Sequence, residues 1–145
     1  GGTGAGNAVG ARRLMALLAP ISAGELIDKI TILRIKAQRI APEKRANVRH
    51  ELEQLEALAA RELAAVDLAV LTAELTAINA GLWDIEDGKR DCERRGDFGP
   101  AFVALARSVY IENDRRAAVK RRINDAAGSD IVEEKSYAPY SDGKA

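Results

Sequence analysis

The stretch that decides the fold runs from Leu68 to Ala127, LAVLTAELTAINAGLWDIEDGKRDCERRGDFGPAFVALARSVYIENDRRAAVKRRINDAA. Leu71, Leu75, Ile78, Leu82 and Ile85 recur at alternating steps of four and three, the spacing of a helix–helix seam. Phe102, Leu105, Ala106, Val109, Ala117 and Ile123 form the facing stripe of a second helix. Between them Gly96-Asp97-Phe98-Gly99-Pro100 has the makings of a tight reversal: a glycine to end one helix, a cap, and a proline in the first turn of the next. Two long amphipathic helices, at about 68–95 and 100–127, therefore fold back on one another.

Outward from this hairpin, Ser22-Ala23-Gly24-Glu25 has the form of a capping box and starts a helix at about 23–40. Leu26, Ile30, Leu33, Ala37 and Ile40 make its main stripe, while Ile32 and Ile35 point elsewhere, so it contacts neighbours on two sides. Its polar side carries Asp28, Lys29, Thr31 and Arg39, and Asp28 and Lys29 read as a solvated helix edge. Pro42 opens another helix, at about 42–65, with Val48, Leu52, Leu55 and Ala59 on one side and charge on the other. Asp67 is placed to cap the helix that follows. Past Gly128 the periodicity stops; residues 129–140 read as an extended tail and 141–145 as a frayed end. The glycine-rich residues 1–14 read as an added, unstructured leader, with Met15 the natural start. The expected architecture is all-α, a coiled-coil-like four-helix bundle in one domain over 15–140, with the first two helices packed on the hairpin.

Composition narrows the function. Apolar residues make up 47% and aromatics only 4%, which suits helix-on-helix packing of Leu, Ile, Val and Ala. Lys+Arg and Asp+Glu are equal at 22 each, so there is no basic excess for nucleic acid or an anionic membrane. The cationic run Lys120-Arg121-Arg122 then reads as complement to the negative end of its helix. No apolar run reaches the roughly 20 residues of a membrane span. One cysteine, Cys92, and one histidine, His50, supply neither a disulfide nor a Cys/His metal cluster; a reducing cytoplasm fits, and no cofactor is expected.

The candidates for chemistry are the polar residues that interrupt the hairpin's stripes. With the two helices antiparallel, position 82 lies opposite 113 and 79 opposite 116 by helical rise. Asn113 then sits in the seam near Leu82, with Asn79 and Arg116 close by and Glu86 about a turn away. Such a layer either fixes helix register or forms a polar pocket for an anionic or amide-bearing ligand. Trp83 borders the stripe beside Asp87 as packing or as an interface anchor. Asp84, Asp87 and Asp91 share an outward face, read as solvated charge. Glu53/Glu56 and Asp84/Asp87 have the i, i+3 spacing by which all-α nucleoside-triphosphate pyrophosphohydrolases hold Mg²⁺, with a sparser Glu cluster than that pattern needs. Arg34, Arg39 and Lys44 only loosely match the cations of a chorismate-mutase bundle.

Five runs, SAGELIDKITIL (22–33), LWDIED (82–87), ARSVY (106–110), NDRRA (113–117) and EEKSY (133–137), resemble an uncharacterised family of small helical proteins of bacteria and phages. The resemblance spans about Pro20 to Tyr140. It implies a domain without an assigned activity, in the neighbourhood of surface-polysaccharide synthesis. It marks Trp83, Glu86, Asp87, Arg107, Tyr110, Asn113, Asp114 and Arg116 as the candidate binding cluster, and it implies that the 133–137 tail packs specifically. The expected function is a non-enzymatic interaction or scaffold module, a homodimer or one half of a protein–protein pair. The alternative is a Mg²⁺-dependent enzyme or binder acting on nucleotides or sugar nucleotides through the same polar residues.

Overall fold

Ser22 adopts extended backbone (φ −72°, ψ 158°), and its hydroxyl accepts the Glu25 N–H at 3.0 Å, which starts α1 (Ala23–Arg39). The computed structural model describes residues 15–141, so the expected leader and residues 142–145 of the expected frayed end lie outside it. After α1, Pro42–Lys44 form a 3-10 turn that leads into α2 (Arg45–Glu62). The proline thus begins a turn three residues ahead of the α-helix itself. α3 (Ala69–Arg95) ends on Gly96 in the left-handed conformation (φ 63°), where the Asp97 N–H reaches back to the Cys92 carbonyl at 2.9 Å. α4 (Pro100–Ala127) begins at once, with the Asp97 carboxylate accepting the Gly99 N–H at 3.0 Å, and stops at Gly128, also at φ 63°. The described residues are all-helical, with no strand.

α3 and α4 run back along each other: Leu105 lies against Gly88 near the reversal, and Arg122 pairs with Glu74 at 2.9 Å towards the other end. α1 is the element that touches every other helix. Its N-terminus meets Asn124, its middle meets Asn79 and Arg116, and Arg39 at its end meets Asp84. The core follows that path. Leu26, Ile27 and Ile30 of α1 pack with Leu75 and Ile78 of α3 and with Val119 and Ile123 of α4.

One expectation needs correction. The second helix was to pack on the hairpin; α2 instead packs on α1, because Val48 is its only buried residue and its remaining apolar side chains are half-buried at best. The stripe residues Leu82, Ile85, Phe102, Leu105 and Val109 are half-buried, since α1, at 17 residues against 27 and 28, ends before the hairpin's reversal.

Candidate functional site

Asp28, expected on a solvated edge, is the centre of the molecule's polar layer. It is 1% exposed and faces both long helices. The Arg116 Nε donates to its Oδ1 at 2.9 Å and the Arg116 Nη2 donates to its Oδ2, a two-pronged pairing. The Asn79 amide donates to the same Oδ1 at 2.9 Å and to the Thr31 hydroxyl, also at 2.9 Å. α1, α3 and α4 are thus tied by one carboxylate. The hydrogen bond to Asp28 raises the Arg116 pKa above the ordinary guanidinium value despite the opposing effect of burial. Among the described residues, every fully buried side-chain N or O atom has a hydrogen-bond partner.

One turn towards the start of α1, a second layer joins α1, α4 and the tail. Gly24 donates its N–H to the Asn124 side-chain oxygen at 2.7 Å, and Ala23 donates to the Ser129 hydroxyl at 3.3 Å. Lys120 lies between Glu25, at 2.7 Å, and Glu133, at 3.4 Å. Burial alone would raise the Glu25 pKa, but the hydrogen bond and charge of Lys120 outweigh it, and the carboxyl is held below its ordinary 4.5. Burial likewise disfavours the Lys120 cation, and the Glu25 hydrogen bond and charge reverse that, lifting it above 10.5. The carboxylate of the expected capping box therefore goes to Lys120, where a stronger charged partner is within reach.

Past Gly128 the chain turns and runs back along α4. Glu134 pairs with Arg121 at 3.3 Å, Lys135 with Asp114, and the Tyr140 ring lies 5.6 Å from that of Tyr110. Between helix and tail lies a cleft of about 770 Å³, lined by Tyr110, Asn113, Arg116, Lys120, Glu133 and Tyr137 among others.

Residues 17–143 match DUF6165, described as a family of unknown function. The chain belongs to this family. Neither a curated protein nor a solved structure matches it. The DUF6165 match takes in the whole tail seen here, so the segment from Ser129 to Ser141 is part of the family's unit.

The eight candidate residues do not form one cluster. Tyr110, Asn113, Asp114 and Arg116 line the cleft together. Asn113 faces the tail, its side-chain oxygen 3.5 Å from Arg116 Nη1, and not the seam beside Leu82 as expected. Glu86 takes no part in the layer; it is exposed and pairs with Lys89 of its own helix at 3.1 Å. Trp83 is half-buried under Arg39, whose guanidinium carbon is 5.9 Å from the ring centroid. Asp87 and Arg107 are exposed on the helix surfaces. The acids proposed for Mg²⁺ are separated: α2 and α3 do not meet, Glu56 pairs with Arg34 at 3.0 Å, and Asp84 with Arg39 at 2.6 Å. Arg34 and Arg39 each pair with one of these acids. Among the described residues no three His, Cys, Asp or Glu side chains are placed to hold a metal ion.

Sequence reasoning missed Asp28, Glu25 and Asn124 as site residues. A signal for the first was present: Gly24, Asp28, Thr31 and Ile35 recur at steps of four, three and four, and all are buried. That is the seam spacing of α1 against its neighbours, with Gly24, Asp28 and Thr31 the small and polar residues in it.

Proposed function

We propose that this DUF6165 chain is a non-catalytic interaction module, a four-helix assembly on a long antiparallel α3–α4 hairpin, whose docking surface is the cleft between α4 and the tail. The observation that carries the reading is the pairing of its charges. Arg116 is committed to Asp28, Lys120 to Glu25 and Glu133, Arg121 to Glu134 and Arg122 to Glu74. Catalysis on a phosphorylated substrate needs cations or a metal aimed at charge that develops on the substrate. Here four cations of α4, Arg116, Lys120, Arg121 and Arg122, already face carboxylates of the same chain. Such a layer positions helices and presents a surface.

A thermal-shift panel of nucleoside triphosphates and nucleotide sugars, with and without Mg²⁺, tests this. A ligand held at a hundred times its Kd stabilises by about 2.7 kcal/mol, a shift of several degrees at this chain length. The expected panel is flat. A Mg²⁺-dependent shift that disappears in Tyr110→Ala or Tyr137→Ala, which line the cleft and make no hydrogen bond to Asp28 or Arg116, would replace this reading with the nucleotide-acting one.

A further inference from the structure

The tail is attached to α4 in an unusual way. From Val132 on, among the described residues, none of its backbone N–H or C=O groups is hydrogen-bonded to the helix; side chains make all the polar contacts. Every residue from Ile131 to Ser141 is solvent-exposed. Exposed ion pairs are individually weak and break readily. The tail leaves α4 through Gly128, in a left-handed conformation, and a short link at Ser129-Asp130. The cleft beneath it stays open by about 770 Å³.

We propose that the α4 face of this cleft is covered in trans by the tail of a second copy in place of its own, the two copies exchanging residues 131–141 to make a twofold dimer. The inference rests on the reading of the cleft as a docking surface. Its occupant is named by charge register. Along α4 the tail finds cations at Lys120 and Arg121, then an anion at Asp114, then an aromatic ring at Tyr110. The matching ligand is an extended segment reading acid, acid, base, then an aromatic some residues on. Glu133-Glu134-Lys135 with Tyr140 is that segment, and every other copy carries it. Contacts made in cis are available unchanged in trans, which makes exchange of a terminal segment a low-cost route to a closed, self-complementary dimer. The second exchange within a dimer is intramolecular, so two weak contacts reinforce each other. Tyr137 is 86% exposed in the single chain, and Ile131 and Val132 beside the crossing point are exposed as well.

Two full-length variants test it. One reverses the tail, Glu134→Arg with Lys135→Glu; the other reverses the helix, Arg121→Glu with Asp114→Lys. All four positions are surface residues outside the core and outside the Asp28 layer, and circular dichroism checks that both variants fold. In either variant alone the tail faces like charges on its own α4 and on any copy of itself. In an equimolar mixture each tail matches the other chain's helix. Sedimentation velocity at low salt should show both variants at the single-chain mass of 15.6 kDa and the mixture at twice that mass. High salt should dissolve the mixed dimer, and a chain carrying all four reversals should behave as wild type. A mixture that stays at single-chain mass overturns the exchange. The tail-reversed variant is then titrated with a free peptide of residues 129–141. Binding of the peptide keeps the cleft as a docking surface for another protein's acidic segment; no binding removes the docking reading as well.

Discussion

Asp28 has no partner to fall back on. With both oxygens inside the three-helix layer and 1% exposure, its removal leaves the half-buried Arg116 guanidinium without its paired carboxylate. Breaking one side of a buried pair costs about 3–5 kcal/mol, and Arg116, 29% exposed, can recover part of its hydration, so the lower end applies. Asp28→Asn should lose about 3 kcal/mol in urea unfolding. Arg116→Gln should lose less, and the double variant should fall well short of the sum, with a coupling of about 2 kcal/mol. Additive losses would mean that the two residues act separately. This residue also shows where reading the chain fell short. A lone Asp next to Lys29 has the local look of solvated charge, and its burial depends on Arg116, 88 residues away. Arg116 itself was legible, because it interrupts an apolar stripe with a charge. Asp28 interrupts a stripe made of Gly24 and Thr31, which hydrophobicity does not reveal.

At the scale of the elements, Gly24 and Gly81 form a matched pair. Both lie within helices, where glycine costs about 0.5–1 kcal/mol relative to alanine. A methyl on Gly81 meets nothing within 4 Å, so Gly81→Ala should stabilise the chain by about that amount. A methyl on Gly24 would lie 2.5 Å from the Lys120 carbonyl oxygen and 2.9 Å from the Asn124 side-chain oxygen. α1 would have to back away from α4, stretching the Gly24 N–H bond to Asn124, and overpacking of this kind costs about 1–3 kcal/mol. Gly24→Ala should therefore lower the melting temperature while Gly81→Ala raises it. Two shifts of the same sign would remove the close approach as the reason for Gly24. The elements themselves were legible because each carries strong local signals: Ser22 at one start, Gly96 and Gly128 at two ends, Pro100 in a first turn. Their partners were less so. The apolar side of α2 was readable, but nothing local distinguishes packing on α1 from packing on the hairpin.

At the scale of the whole molecule, the Glu25–Lys120–Glu133 chain fastens the start of α1 to the end of α4 and to the tail, and it gives stability a defined dependence on pH. The Glu25 pKa is lowered on folding, so its contribution is present above the ordinary 4.5 and is lost as pH falls through the folded value. The Lys120 pKa is raised, so its contribution is complete below the ordinary 10.5 and is lost as pH rises through the folded value. The pair therefore contributes steadily between those limits and fades outside them. Lys120→Met keeps most of the side chain's packing and removes the charge. Its stability deficit against wild type should be about 1–2 kcal/mol on the plateau, in keeping with a partly buried charged hydrogen bond. The deficit should shrink below pH 4.5, where wild type loses the same interaction by protonating Glu25. Denaturant midpoints at pH 3.5, 5, 7 and 9 measure this. A deficit that is equally large at pH 3.5 would mean that Lys120 acts through its aliphatic stem against α1, leaving the carboxylates of Glu25 and Glu133 as bystanders to the fastening of α1 and the tail.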